Sequence, residues 1–256
     1  MRAIVFSLAL LVAFGPISDS PPLLQQNQLQ KLSWALSAWS DHKTLGPFAI
    51  KVRGQLRVYS SWQHQAEAIA RRDTLTLHVI GQIHTPPDSD RTYRRQVLSS
   101  QRQVFDLLTR LKPSLVSLEG YTKDTLNTKA LLSDIALQEK HELFLTQGAI
   151  KFLARHDSLP AVGADDPALH DLCLAILKIV YGSDRPQNLI ELDALNTFLW
   201  ITIDARSQLA VDRTVIGLDR RHLHQAAMVI GGDHRSICLA EGRRIGITIE
   251  YFPTDK

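Results

Sequence analysis

The sequence predicts an α/β fold, a mainly parallel sheet flanked by helices on both faces, and three observations carry that expectation. From Thr74 onward, short apolar runs alternate with longer segments of helical spacing, the pattern of parallel strands joined by crossover helices. The runs close on glycine, at Gly81, Gly120, Gly163 and Gly231. Two of them end in the same signature, Gly81-Gln82-Ile83-His84 after Leu75 to Ile80 and Gly231-Gly232-Asp233-His234 after Ala226 to Ile230. In an open parallel sheet, ligands bind beyond the carboxyl ends of the strands, so both histidines are expected at that rim.

The elements follow in order. Leu24 to Trp39 has helical apolar spacing, Gly46 to Tyr59 reads as a short β-hairpin or irregular strands, and Trp62 to Arg72 reads as a helix. The first strand is Leu75 to Ile80; His78 within it is expected to be a satisfied core residue. Arg91 to Leu111 places Val97, Val104, Leu107, Leu108 and Leu111 on one helical face, and Lys112-Pro113 stops it because proline cannot continue a helix. Leu115 to Leu118 is the second strand, ending in Glu119-Gly120. Helices are expected over Asp124 to Leu137 and Glu142 to Arg155, then a short strand at 160–163 closing on Asp165-Asp166-Pro167. That last triplet also reads as an N-cap with proline in the first helical turn, and Glu119 as a helix cap. Ala168 to Tyr181 and Asn188 to Arg221 are long helices; Ala226 to Gly231 and Ile245 to Phe252 are the closing strands, the last one following Gly242.

Four strand ends therefore carry His84, Glu119, Asp165 or Asp166, and His234. Imidazole mixed with carboxylate suits Zn, Mn, Co or Fe(II) better than Ca or Mg, which favour all-oxygen shells. The charged residues Arg206 and Arg213, seven apart, share a helix face; Arg213 is a candidate for stabilising an oxyanion. The aromatics Trp34, Trp39, Tyr59 and Trp62 are expected to be packing residues, and Pro86 to Asp90 a surface turn.

Composition bounds the function classes. With 256 residues, 45% hydrophobic and 21% charged, the chain has material for one large core plus an extension. A net charge of +3 with interspersed acids does not argue for nucleic acid as a partner. Arg2 followed by the apolar stretch Ala3 to Gly15 and Pro16 reads as a signal peptide over residues 1–20. It is too short for a comfortable membrane span, so the expected location is secreted, periplasmic or envelope-facing, with an uncleaved anchor or a cytoplasmic strand as alternatives. Residues 21–73 are read as an N-terminal extension packing on an α/β domain at 74–256. Cys173 and Cys238 are the only cysteines; export permits a disulfide between them.

The ordered set of strand, Gly81-x-x-His84, helix with Ser100-Gln101-Arg102-Gln103-Val104, Lys112 to Glu119, Leu159 to Gly163, and Val229 to His234 resembles the erythromycin esterase, ChaN and Tiki superfamily, including TraB/GumN-like proteins. The resemblance covers Thr74 to Phe252. It implies an α/β fold with two Gly-x-x-His motifs and a glutamate lining one cleft. One branch of that family is a metal-dependent protease using Mn or Co, another hydrolyses a macrolide lactone, and the ChaN branch binds haem in iron uptake. The chain departs from the family in lacking an Asn beside Arg206 or Arg213, and in having Asp165 where relatives often have glutamate.

The leading expectation is thus a secreted metal-dependent hydrolase acting on a peptide or small-molecule ester, with His84, Glu119, His234 and Asp165 as ligands and Glu119 and Arg213 as catalytic groups. The alternatives are a haem-binding protein using His84 or Tyr121 as axial ligand, and a non-catalytic interaction member of the same superfamily.

Overall fold

The computed structural model describes residues 28–83, 91–140, 147–182 and 185–254; His84 and the expected signal segment lie outside them. The expected α/β class is observed. Five strands, β1 (Thr76–Gln82), β2 (Val116–Leu118), β3 (Ala161–Gly163), β4 (Gln225–Gly231) and β5 (Thr248–Pro253), form one sheet in the order β3-β2-β4-β1-β5. Every pairing is parallel. β1 and β4 run as continuous buried stretches, as strands covered on both faces must.

Side-chain alternation separates the two faces. Ile80, Val116, Leu118, Ala227 and Val229 pack with Val104, Leu108, Ala149 and Ile150 from α3 (Arg91–Leu111) and α5 (Gln147–Ala154). Between those helices in the chain runs α4 (Thr128–Lys140). Leu77, Val79, Met228 and Ile230 point the other way, against Val211, Val215, Cys238 and Ile245 of α7 (Leu189–Asp219) and α8 (Arg235–Ile245). The chain therefore leaves β1 and β2 toward one face and β4 toward the other. Neighbouring strands whose connections depart to opposite faces open a crevice at their carboxyl ends. Here that crevice lies over β1, β4 and β2, where Gln82 is in register with Gly231 and Leu118 with Val229.

A third apolar cluster joins α1 (Gln28–Trp39), α2 (Gly46–Arg72), α6 (Pro167–Tyr181) and α7. Here the sequence reading needs correction. Gly46 to Tyr59 is the first half of α2, without a hairpin. Ala49, Val52, Tyr59, Gln63, Ala66 and Ile69 are all buried on one helical stripe, and Pro47 sits in the first turn, where its missing N–H is harmless. Ile50, Val52 and Val58 are β-branched and favour strands locally, but burial against α6 and α7 decides. The Tyr59 hydroxyl donates to Asp166 Oδ1 at 2.5 Å, tying α2 to the start of α6. Burial, then the Asp166 hydrogen bond and charge, push that phenol far above its usual range, so it remains a donor.

The end of the chain differs too. Ile245 closes α8 rather than opening a strand: Gly246, at φ +87°, takes the left-handed position that ends many helices. Gly242 lies inside α8, where an added Cβ would collide with Ile249 of β5. Cys173 and Cys238, between which export would permit a disulfide, are free thiols, both buried, and they belong to different apolar clusters. Among the described residues, no helix is long and apolar enough to cross a membrane.

Candidate functional site

Glu119 is the residue after β2, and no helix follows it until Thr128, so it caps none. Its Oε2 accepts the Gly231 N–H at 2.6 Å and its own N–H donates to Val229 O at 3.0 Å. The carboxylate is thereby fixed against the end of β4. His234 completes a single 3-10 turn, Gly232–His234, that leads from β4 into α8. Its Nε2 stands 3.1 Å from Glu119 Oε1. Both side chains are nearly buried, at 8% and 11% exposure.

The other imidazole nitrogen reveals the tautomer. Ser207 Oγ of α7 lies 2.5 Å from His234 Nδ1 and 2.7 Å from Ile203 O. A carbonyl only accepts, so both contacts are satisfied when Ser207 donates to Ile203 O and accepts from His234 Nδ1–H. With Nδ1 so engaged, Nε2 faces the carboxylate oxygen Oε1. A proton or a metal ion between them would join the pair, and the Arg206 guanidinium lies 3.5 Å from the same oxygen.

Asp165, just beyond β3, is the second rim acid, and its oxygens are engaged. Oδ2 accepts from Gly120 N at 2.7 Å and Arg206 Nη2 at 2.8 Å; Oδ1 accepts from Arg206 Nε at 3.1 Å and Nη2 at 2.9 Å. His170 Nδ1 is 3.5 Å from Oδ2. Burial by itself pushes this carboxyl up, but the Arg206 charge, then the His170 contact, outweigh it and hold Asp165 below the usual carboxylate range. Burial likewise acts to lower the Arg206 guanidinium, and the Asp165 and Glu119 charges reverse that and raise it. Arg206 Nη2 also reaches Glu119 Oε1 at 3.5 Å, and Nη1 donates to Cys173 Sγ at 3.3 Å.

The neighbouring aspartate has the other role that the sequence allowed. Asp166 Oδ1 accepts from Ala168 N and Leu169 N at 2.9 and 3.1 Å, the N-cap of α6. Arg213, the expected oxyanion partner, is placed elsewhere: it donates to Asp165 O at 2.6 Å, Thr122 O at 3.0 Å and Asp124 Oδ1 at 3.0 Å, and lies 5.2 Å over the Trp62 ring. It holds loop carbonyls and does not contact Glu119 or His234. Arg206, two turns earlier on the same face, takes the rim position. Tyr121, the alternative haem ligand, packs against the cluster under α3 and α5, and its carbonyl accepts the Asp165 N–H at 3.0 Å. His78, expected to be a satisfied strand residue, is so at one nitrogen: it accepts from Gln225 Nε2 at 2.6 Å, whereas Nδ1, 3.0 Å from Glu250 Oε2, is buried without a hydrogen bond.

The approach to His84 is also organised. The Ile83 N–H donates to Ser100 Oγ at 3.0 Å, and Ser100 Oγ shares a 2.5 Å hydrogen bond with Thr254 Oγ1, which in turn donates to Gly81 O. Gln101 Nε2 donates to Gln82 Oε1 at 3.1 Å. The segment Ser100-Gln101 thus fixes the carboxyl end of β1, two residues before His84.

Among the described residues no three His, Cys, Asp or Glu side chains gather as a metal-ligand set; Glu119 and His234 offer two donors. Comparison of the chain with family models, with curated proteins and with solved structures finds no match.

Proposed function

We propose that the protein is a metal-dependent hydrolase of the peptidase or esterase type, with Glu119 and His234 as metal donors and His84 as the third. The observation that supports this reading is the 3.1 Å approach of His234 Nε2 to Glu119 Oε1, with Nδ1 already donating to Ser207. Two donors held about 2.0–2.2 Å from one tetrahedral ion stand about 3.3–3.5 Å apart, so a small opening accommodates it. An imidazole whose second N–H is fixed by a hydrogen bond is the usual state of a metal-ligating histidine. Asp165 is not assigned a ligand role, because a metal there would displace Arg206 from both of its oxygens.

A bound divalent ion supplies Lewis acidity toward water and a substrate carbonyl. The chain's own residues do the rest. Glu119, whose Oε2 accepts the Gly231 N–H and whose Oε1 lies 3.5 Å from Arg206 Nη2, would serve as the carboxylate donor to that ion. Arg206 is a positioning residue, since it directs its donors at Asp165, Glu119 and Cys173. Ser207 fixes the imidazole plane. The test is turnover of a peptide and ester panel by protein stripped of metal and refilled with Mn, Co, Zn or Fe(II). Activity that requires the metal and falls at least about a hundredfold in Glu119→Gln, which removes the charged donor, supports the reading; metal-independent turnover, or turnover unchanged in that variant, overturns it.

A further inference from the structure

The two helices that carry this rim meet again one turn further along. Asp212 of α7 is fully buried, and neither of its carboxyl oxygens accepts a hydrogen bond. Gln208, one turn earlier on the same face, has a buried and equally unmatched Oε1. Facing them from α8 is Glu241, 3% exposed, which accepts from Gln208 Nε2 at 2.7 Å and from Arg244 Nε at 2.8 and 3.0 Å. Arg244 continues to Glu67 of α2, and Glu67 pairs with Arg71 at 3.6 Å. Cys238 is the other titratable group of α8 that faces Glu241.

Two ionised carboxylates side by side in a dry interior would each lack solvation, and one guanidinium shared with Glu67 does not compensate both. Between two acceptors there is no hydrogen bond. Add a single proton and there is one, with the Asp212 hydroxyl donating to the Glu241 carboxylate, and the buried orphan disappears.

We propose that Asp212 and Glu241 share one proton at neutral pH, and that this acid–carboxylate bond clamps α7 to α8, setting the approach of Ser207 to His234 and loosening the fold as pH rises. The clamp stands independently of hydrolysis; only its effect on the rim rests on the functional reading above. Burial, then the Glu241 charge and hydrogen bond, push Asp212 well above the usual carboxylate range, against the pull of Arg244. An acid whose folded value is raised stabilises fully below its unfolded value, about 3.9. That contribution is lost as pH climbs toward the folded value, by up to about tenfold in the folding constant per pH unit.

Asp212→Asn tests it, because the amide donates the same hydrogen bond and cannot ionise. Urea unfolding of the full chain from pH 5 to 9 should show the wild-type folding constant falling with pH more steeply than the variant's, by up to about tenfold per unit, with the variant the more stable at pH 8. Equal pH dependence in the two proteins overturns the proposal. Should the variant not fold, the infrared spectrum of wild type at pH 7 decides: a carbonyl band of an un-ionised carboxyl supports the shared proton, and its absence overturns it. Neither readout involves turnover, so a failed substrate screen leaves the clamp standing.

Discussion

Replacing Arg206 with Leu removes a guanidinium that serves both rim carboxylates, Asp165 and Glu119. Asp165 is 3% exposed and receives three of its contacts from Arg206, at 2.8 to 3.1 Å; Glu119 receives a fourth at 3.5 Å. Breaking a buried pair by deleting one partner costs about 3–5 kcal/mol, chiefly from the charge left behind. Arg206 is 9% exposed, so solvent offers little relief.

The pH dependence then changes sign. In wild type, Asp165 is held below its ordinary value; its contribution is present above the unfolded pKa of about 3.9 and is lost as pH falls through the folded value. Without Arg206, burial, the largest influence, and Glu119 push the carboxyl up against the His170 contact, so the variant's loss should be greatest at pH 8 and shrink toward pH 5. Urea melts at those two pH values measure both effects. A loss under about 1 kcal/mol, the scale of an exposed pair, or a loss equal at the two pH values, would refute the electrostatic account of the rim.

Two further outcomes follow from the same geometry. Ser207→Ala removes the acceptor of His234 Nδ1–H and should weaken metal affinity about 10–100-fold with the fold intact, measured by competition with a chromophoric chelator; unchanged affinity would remove Ser207 from the site. Gly163→Ala would drive a Cβ into the Tyr121 carbonyl and the Thr122 nitrogen, backbone that cannot swing aside, so a loss of at least about 1–3 kcal/mol is expected. Thermal unfolding with no drop in Tm would contradict the close approach of β3 to the loop after Glu119.

The sheet was legible because buried parallel strands are apolar runs, and here each run carries its own stop. β1, β2, β3 and β4 fall where those runs lie, and Arg91–Leu111 matches α3 to the residue. α2 was obscured because its stripe is built from Ala, Val, Tyr and Gln rather than Leu, leaving β-branched residues to dominate a local reading. α8 was missed for a related cause: it buries only Cys238, Glu241, Gly242 and Ile245, too little apolar surface to announce a helix. At the site, Glu119 was legible as the first polar side chain beyond its strand, and His234 as the histidine of a Gly-x-x-His signature at a strand end. The choice between Arg206 and Arg213 was not, since residues seven apart share a face and only the depth at which α7 crosses the sheet decides which one reaches the rim. Ser207 gave no signal at all; a serine in a helix interior commonly bonds its own backbone, as this one also does to Ile203 O. Asp165 and Asp166 were separable in hindsight by Pro167, which makes the residue immediately before it the cap.

The central claim is that the gap between His234 Nε2 and Glu119 Oε1 is a metal position. Metal content by mass spectrometry, on untagged protein purified without chelator, tests it against the His84→Ala, His234→Ala double variant. The account predicts about one Mn, Co, Fe or Zn per wild-type chain and none in the variant. A wild type that holds no metal even after reconstitution, or a variant that keeps it, would contradict the claim and leave the 3.1 Å contact as a proton-bridged ion pair.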